Sequence, residues 1–304
     1  MIHRLSRLCL LLALLALGWP LAAGATIRIT DASGYRVTLA GPAQRIVSLA
    51  PHLTENLFAI GEGGRIVGTS SYSDHPPAAR RIPRVGTHDR IDLEQLLALK
   101  PDLVLLWLSG NGRAEAERLR KLGLTVVATE AGNVEAIAAT LRLLGRLTGT
   151  ARGEREAEAF LRGMTQLASR YSDRRPVRVF YQIWQDPLMT IGGAQIISDV
   201  LDRCGARNIF AAQNGKAFAV GREAVLARQP QALVAPADDG SGDSPLAHWQ
   251  SADSLPAVQQ HHMIVLQDNA LARPTPGILP AARELCQAID GVRQSLPPRK
   301  QTQE

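Results

Sequence analysis

Cysteine and aromatic residues are scarce in this sequence, and neither sign of charge dominates. The 304 residues include 3 Cys, 4 Trp, 4 Tyr and 5 Phe, so the positions of these side chains are informative. Lys and Arg number 34 against 28 Asp and Glu, and the basic residues are scattered along the chain. Without a basic stripe, the sequence lacks the electrostatic footprint of a nucleic-acid-binding protein.

Familiar catalytic signatures are also missing. The sequence contains no G-x-S-x-G, no H-E-x-x-H, no Walker A loop and no strand-linked G-x-G-x-x-G. One catalytic alternative is a metal-dependent hydrolase that uses His52, Asp74, His75 and His88. These four residues come from separate loops without the spacing of a zinc site. The sequence therefore favours a protein that is not an enzyme.

The only long apolar run lies at the N-terminus, where it predicts a signal peptide over residues 1–25. Arg4 and Arg7 precede an apolar run from Leu8 to Leu17, and a small-residue box ends at Ala25. The run is shorter than the ~20 residues of a membrane span. We therefore expect an exported, soluble mature protein that begins near Thr26.

Two cysteines, Cys204 and Cys286, remain after this processing. In an oxidising compartment an even pair favours a disulfide bond, and two unpaired buried thiols are the alternative. A bond between them would close a loop of about 80 residues, which stabilises the fold by ~4 kcal/mol in the chain-entropy model.

Short apolar runs alternate with helical patterns from Arg45 onward, as is typical of a parallel sheet built from βαβ units. This pattern predicts a first α/β lobe over residues 26–149. Its predicted strands cover residues 45–50, 65–70, 102–107 and 124–129, and its predicted helices cover residues 54–61, 93–100, 114–123 and 134–149.

A continuous helical rhythm without a strand signal follows, and it predicts one linking helix within residues 150–173. A second α/β lobe is predicted over 174–296, followed by a disordered tail at 297–304. Its predicted strands cover residues 177–183, 232–236 and 263–267, and its predicted helices cover residues 194–205, 222–229 and 276–296. The expected fold is α/β, with two parallel-sheet lobes, one long joining helix and a cleft between the lobes.

An internal repeat relates the two halves. The segments EQLLALKPDLVL and EAVLARQPQALV begin at Glu94 and Glu223, each at the second position of a predicted helix after Asp92 or Gly221. Carboxylates at these positions favour the helix dipole, which gives them a structural explanation. The duplication favours a second interpretation, in which they are two symmetric docking points for basic residues of a dimeric partner.

Several histidines and aromatic residues follow predicted strands, at the sheet edge where open α/β sheets bind ligands. His52 and His88 lie in loops of the first lobe, as does Tyr72, while Trp107 ends a strand and Trp184 follows one in the second lobe. Rigid aromatic faces of this kind suit a flat apolar ligand. Loop positions and ordinary core packing are the alternatives.

Six segments together carry a family resemblance over Arg45 to Ile289: RIVSLAPHLTE, GTSSYSDHPPAA, DLEQLLALKPDLVLLW, VLDRCGARNIF, GREAVLARQPQALV and AARELCQAI. They resemble the BtuF-type family of periplasmic vitamin B12-binding proteins, which are solute-binding proteins of ABC importers. The resemblance implies a monomeric, periplasmic receptor without a cofactor of its own. Such a receptor delivers cobalamin or another corrinoid to a membrane permease dimer.

The resemblance also assigns roles to individual residues. Tyr72 and Trp107 match aromatic ligand contacts, Arg273 matches a polar contact, and Cys204 with Cys286 matches the family disulfide. Glu94 and Glu223 match the docking acids.

Other positions depart from the family pattern. His88 stands in place of a tryptophan and His52 in place of a small residue, while Met189 and Ala217 replace two further aromatic residues. We expect Trp184 and Phe218 to restore aromatic surface, and His88 or His52 to be able to reach a bound cobalt as an axial ligand. The predicted cleft residues are Pro51, His52, Tyr72, His88, Trp107, Trp184, Met189, Phe218 and Arg273.

A receptor for heme or a ferric siderophore is the alternative within the same fold. Siderophore capture usually requires several arginines in the cleft, and only Arg273 is predicted to lie there.

Overall fold

The computed structural model describes residues 26–87, 90–237 and 244–297. The predicted signal peptide, His88 and nearly all of the predicted tail therefore lie outside the described residues. Among the residues described, no helix is long and apolar enough to cross a membrane.

The first lobe is built on a four-stranded parallel sheet. A hairpin of β1 (Ile27–Thr30) and β2 (Arg36–Leu39) precedes it. The sheet has the order β4-β3-β5-β6 and consists of β3 (Ile46–Ser48), β4 (Ile66–Thr69), β5 (Leu103–Trp107) and β6 (Val126–Thr129). Strands β3, β5 and β6 are almost wholly buried, because helices cover both faces of the sheet.

With one single-turn exception, the helices of the first lobe lie where the apolar periodicity predicts them, and their ends differ from the predicted ends by at most three residues. They are α1 (Pro51–Ala59), α2 (Leu93–Ala98), the single-turn α3 (Leu108–Asn111), α4 (Arg113–Lys121) and α5 (Val134–Thr148). The sequence did not predict α3 or the β1–β2 hairpin.

One long helix, α6 (Arg152–Tyr171), leads from the first sheet to the second. It packs closely against α5. A Cβ atom added to Gly145 would lie only 2.9 Å from Cα of Gly153. Only glycine at these positions allows so short a distance between the two backbones. The apolar face of α6 is buried along its whole length through Ala157, Phe160, Met164, Leu167 and Tyr171.

The second lobe contains a six-stranded sheet that is mixed. Strands β7 (Val177–Trp184), β9 (Ala206–Asn208), β11 (Ala232–Pro236) and β12 (Met263–Leu266) pair in parallel. Two short strands, β8 (Met189–Ile191) and β10 (Ala217–Ala219), add an antiparallel extension along one edge. The sequence predicted β7, β11 and β12. It did not predict β8, β9 and β10, because three-residue strands are too short to show a period.

The described part of the second lobe contains four α-helices: α7 (Ile196–Arg203), α8 (Arg222–Arg228), the short α9 (Pro256–Gln259) and α10 (Ile278–Ser295). A disulfide bond joins Cys204, directly after α7, to Cys286 within α10, and both residues are fully buried. The α/β fold class with two lobes is confirmed, and so is the disulfide. The lobe boundaries at 26–149, 150–173 and 174–296 remain predictions.

The two lobes share one apolar core. A continuous cluster of buried side chains runs from Val37 in the first lobe, through Phe160 on α6, to Val292 in the second. Polar contacts add to it: Asp199 accepts a hydrogen bond from the backbone N–H of Val134 at 2.8 Å, and Arg203 pairs with Glu135 at 2.7 Å. These contacts join the start of α5 in the first lobe to Asp199 and Arg203 in the second.

Candidate functional site

A cavity of about 370 Å³ lies between the lobes, next to the carboxyl ends of β5 and β6. This is the sheet edge where ligands bind in open α/β folds. The first lobe contributes Trp107, Ser109, Glu130, Ala131 and Gly132 to its lining. The second lobe contributes Ile183, Ile191, Ala194, Gln195, Ile196, Ile197, Lys216, Ala217, Asn269, Ala272 and Pro274. An adjoining cavity of about 360 Å³ shares Ile183 and Asn269 and is bordered by Trp184.

Trp107 forms a firmly held part of this wall. Its indole Nε1 donates to Oε1 of Glu130 at 3.2 Å, and its backbone N–H donates to Oδ1 of Asn111 at 2.9 Å. The ring of His52 meets the indole edge-on, with centroids 5.3 Å apart. Because its ring and its backbone are both fixed, Trp107 offers a pre-oriented aromatic surface.

His52 supports this tryptophan. It is the second residue of α1, directly after Pro51, and only 5% of it is exposed. Burial lowers the pKa of its imidazole to about 4, although the nearby charge of Glu130 opposes this shift. At neutral pH the imidazole is therefore uncharged.

Neither His52 nor Pro51 belongs to the lining of the cavity. The buried imidazole thus packs against Trp107 without lining the cavity itself. Axial ligation of cobalt by His52 stays a prediction.

Glu130 and Lys216 bridge the two lobes across the cavity. The ammonium of Lys216 lies 2.6 Å from Oε1 of Glu130 and 2.7 Å from Oγ of Ser109. Burial raises the pKa of Glu130, but hydrogen bonds from Lys216 and Ser109 outweigh this effect, so its pKa lies below the ordinary value. Glu130 is consequently ionised at neutral pH.

A second set of cross-lobe contacts involves Arg273. Its guanidinium Nε lies 3.1 Å from Oε1 of Glu55, in an ion pair that lacks the alignment of a hydrogen bond. Burial raises the pKa of Glu55, and the charge of Arg273 only partly opposes the shift. Next to this pair, the amide of Asn56 donates to the carbonyl of Pro274 at 3.1 Å. Its neighbours Ala272 and Pro274 line the cavity, whereas Arg273 itself does not, and Glu55 engages its charge.

The predicted residues of the second lobe do not form one surface. Trp184 is 60% exposed, borders the smaller cavity and donates from Nε1 to the carbonyl of Asp186 at 2.8 Å. Met189 is paired with Trp184 across β7 and β8.

Phe218 is not part of the cavity lining, and its contribution to the aromatic surface of the cleft stays a prediction. Its ring packs edge-on against Phe210, with centroids 5.8 Å apart, as part of the apolar cluster inside the second lobe. The neighbouring Ala217 lines the cavity instead, because successive side chains of a strand point to opposite faces.

Tyr72 lies in the loop after β4 and is 79% exposed. It has a φ of 64°, in the left-handed region that residues other than glycine seldom adopt. Arg84 holds this loop by donating to the carbonyls of Ser70 and Ser73 at 3.2 and 3.0 Å. Tyr72 does not line the cavity. Its phenol is presented to solvent on a loop that is itself anchored.

Glu94 and Glu223 occupy the predicted equivalent positions, each the second residue of its helix, α2 or α8. Both are exposed, and neither forms an ion pair with any residue that the structure describes. Their environments differ in one respect. The side chain of Asp92 caps α2 by accepting from the N–H of Gln95 at 3.0 Å, whereas Gly221 offers α8 no side-chain cap.

Glu130, Lys216, Ser109 and Asn269 also line the cavity, and the sequence did not predict them as cleft residues. Glu130 follows a buried strand directly, a signal that could have revealed it. Lys216 precedes β10, a strand too short to predict, so no pattern pointed to it.

Two of the residues proposed for a metal-dependent hydrolase are engaged separately in the described part of the chain. Asp74 pairs with Arg84 at 2.8 Å, while His52 packs against Trp107. Within residues 26–87, 90–237 and 244–297, no three His, Cys, Asp or Glu side chains converge closely enough to hold a metal ion. His88 lies outside this part of the chain.

Comparison with known proteins identifies the family. The model of the periplasmic binding protein family matches residues 46–270. The vitamin B12-binding protein of Vibrio parahaemolyticus is 34% identical over 254 residues, which are 83% of this chain and 92% of that protein.

Solved structures resemble both lobes. The periplasmic vitamin B12-binding protein BtuF of Vibrio cholerae matches with a TM-score of 0.76 and 34% identity, over 84% of this chain and 99% of that one. The periplasmic heme-binding protein RhuT of Roseiflexus matches with a TM-score of 0.68 and 25% identity, over 83% of this chain and all of that one. The chain therefore belongs to the periplasmic binding protein family.

Proposed function

We propose that this protein is a periplasmic receptor that captures a corrinoid, either cobalamin or cobinamide, in the cleft between its lobes and delivers it to an ABC importer. The observation that carries the proposal is the 34% identity to a solved vitamin B12-binding protein across 84% of the chain. The proposed role is binding and transport, without catalysis.

The geometry of the cleft supports this assignment. A corrin is a flat macrocycle that needs a rigid apolar face, and the indole of Trp107 is held in place by Glu130 and His52. A whole corrinoid is larger than either cavity. Its entry must therefore part the lobes locally and break the contact between Lys216 and Glu130.

We further propose that residues 26–149 and 174–296 act as the two lobes and that residues 150–173 join them. The apolar core that they share along α6 restricts large hinge motions. Movement on binding would then be concentrated at the polar contacts beside the cavity, which cost less to break than a continuous core.

Calorimetry with cyanocobalamin, dicyanocobinamide and heme tests the proposed ligand class. We expect one corrinoid site per monomer with a Kd in the nanomolar range, which corresponds to about −12 kcal/mol. Tight binding of heme, without heat from either corrinoid, would transfer the assignment to a heme receptor.

We also propose that Glu94 and Glu223 dock this receptor, as a monomer, onto arginines of the two permease subunits. Both carboxylates are exposed and without an ion-pair partner among the described residues, so they are available to bind. Removing one partner from an interfacial charge pair costs about 2–5 kcal/mol when the pair is buried. The double change Glu94→Ala and Glu223→Ala should thus weaken complex formation steeply.

The matched control for docking is Glu154→Ala, which removes another acid from the first turn of a helix. The control should retain complex formation, and neither variant should change corrinoid affinity more than about threefold, or ~0.7 kcal/mol. Normal uptake by a folded double variant in reconstituted vesicles would return Glu94 and Glu223 to a purely helix-stabilising role.

Axial ligation of cobalt by histidine is a separate proposal. The burial of His52 beside Trp107 makes His88 the better candidate. If His88 replaces cobalt-bound water, the visible bands of aquocobalamin should shift on binding to the wild type and should not shift with His88→Ala. Identical spectra of free aquocobalamin and aquocobalamin bound to the wild type would refute axial ligation by His88.

A further inference from the structure

The lining of the larger cavity contains one negative and one positive side chain among the residues that the structure describes. They are Glu130, directly after β6, and Lys216, directly before β10. One comes from each lobe, and their side chains remain 27% and 41% exposed. The remaining polar groups of the lining belong to Ser109, Gln195, Asn269 and the indole N–H of Trp107.

Glu130 is a fixed acceptor. One carboxylate oxygen accepts from the backbone N–H and the hydroxyl of Ser109 at 2.9 and 2.6 Å, and the other accepts from Trp107 and Lys216. The contacts from Ser109 and Trp107 lie within the first lobe, so they survive if the lobes part. Lys216 belongs to the opposite lobe, and its ammonium group can donate hydrogen bonds but cannot accept them. Together they place an acceptor and a donor side by side at the edge of an aromatic surface.

Primary amides and carboxylates respond differently to such a pair. An amide offers a carbonyl that accepts from Lys216 and an N–H₂ that donates to Glu130. A carboxylate accepts from Lys216 but has nothing to donate, and it is repelled by Glu130. Arg273 cannot offset this repulsion without leaving Glu55 unpaired.

We propose that Glu130 and Lys216 form a specificity pair that recognises the primary amides on the rim of the corrin and rejects tetrapyrroles with carboxylates at that position. This inference rests on the proposed corrinoid function and names the chemical group that the site selects. Glu130 carries the rejection. Lys216 donates to amides and carboxylates alike, and its charge offsets part of the repulsion that a carboxylate meets.

Cyanocobalamin and its monocarboxylic acids, each with one rim amide hydrolysed, provide matched probes. We expect at least one acid isomer to bind the wild type at least tenfold more weakly than cyanocobalamin, which corresponds to about 1.4 kcal/mol. In Glu130→Gln the ratio of acid Kd to amide Kd for that isomer should fall at least tenfold. In Lys216→Met the same ratio should rise severalfold, because the carboxylate loses the positive charge of Lys216.

Glu135→Gln is the control, since Glu135 also forms a cross-lobe ion pair, with Arg203, but does not line the cavity. Its ratios should stay within threefold of the wild type. The specificity pair is refuted if folded Glu130→Gln and Lys216→Met variants both keep every acid-to-amide ratio within threefold. A wild type that binds no cyanocobalamin would instead overturn the corrinoid function, so the two failures are distinguishable.

Discussion

The two lobes present very different tryptophans to the cleft. Trp107 of the first lobe is fixed by Glu130, Asn111 and the ring of His52. Trp184 of the second lobe is 60% exposed, and its indole N–H bonds only to the carbonyl of Asp186, two residues away. The comparison shows that one wall of the cleft is organised before a ligand arrives, whereas the other has room to adapt.

The sheets behind these two walls also differ, and the sheet of the first lobe is the more regular one. The first lobe has a regular parallel sheet whose strands β3, β5 and β6 are almost wholly buried. The second lobe adds short antiparallel strands at its edge, and its helices α7 and α10 are tied by the disulfide. Regular secondary structure fixes the first wall, while the second lobe relies partly on a covalent bond.

Removing the disulfide should give the largest effect and should act on the second lobe. Replacing both Cys204 and Cys286 with Ala frees a loop of more than 80 residues in the unfolded chain. The free energy of unfolding should fall by ~4 kcal/mol. Hydrogen exchange should show faster opening of α7 and α10 than of the first-lobe sheet. Equal loss of protection in both lobes would mean that they unfold as one unit.

Lowering the pH should destabilise the first lobe through His52. Its pKa is about 4 in the folded protein, against an ordinary value of 6.5. As the pH falls from 6.5 to about 4, the unfolded chain binds a proton at His52 that the folded chain does not bind. The free energy of unfolding is therefore highest above pH 6.5 and should fall by ~3 kcal/mol over this range.

The free energy of unfolding of His52→Gln, measured with urea, should lack the fall between pH 6.5 and about 4. His248 of the second lobe provides the comparison, because burial, together with the charge of Arg222, also lowers its pKa. It is less buried than His52, so His248→Gln should remove a smaller share of the acid sensitivity. If His52→Gln keeps the full pH dependence of the wild type, the buried imidazole is not its source.

The two tryptophans should differ in their contribution to binding. Trp107→Ala should weaken cyanocobalamin binding about 30-fold, or ~2 kcal/mol, because it removes an aromatic anchor that is already ordered. Trp184→Ala should weaken it less than about fivefold, or ~1 kcal/mol, since ordering an exposed side chain offsets part of its gain. Calorimetry measures both values, and equal losses would remove the distinction between the two walls.

The sequence predicts the scaffold well because long elements carry strong periodic signals. Helix α6 is predicted almost to the residue, since its apolar positions recur over 20 residues. Strands β8 and β10 have three residues each, and such short segments show no period. The absence of β10 from the prediction explains why Lys216, directly before it, was overlooked.

Residues of the site are predicted where they follow a predicted strand. Trp107 ends β5 and lines the cavity. Contacts between lobes are harder to predict, because they join residues far apart in the chain: Glu55 with Arg273, and Glu130 with Lys216. Their partners depend on the packing of two sheets against one helix, which no local pattern records.

The smallest expected effect concerns the repeated helices α2 and α8. Asp92 caps α2 with its side chain, so Asp92→Ala should lower the free energy of unfolding by ~1 kcal/mol. Gly221 has no side chain to cap α8, and its φ of −74° and ψ of 147° suit any cap residue. Gly221→Ser should therefore raise stability, but only by about 0.3 kcal/mol, because glycine is itself a tolerable cap.

The new Cβ at residue 221 would lie 3.1 Å from Oε2 of Glu223, the far end of a flexible side chain that can move away. Thermal unfolding at pH 7 measures both changes. Since neither Asp92 nor Gly221 lines the cavity, cyanocobalamin affinity should not follow the change in stability. A loss of stability in Gly221→Ser would show that Glu223 is held in place at this helix start. The two halves of the repeat would then differ in the freedom of their acids as well as in their caps.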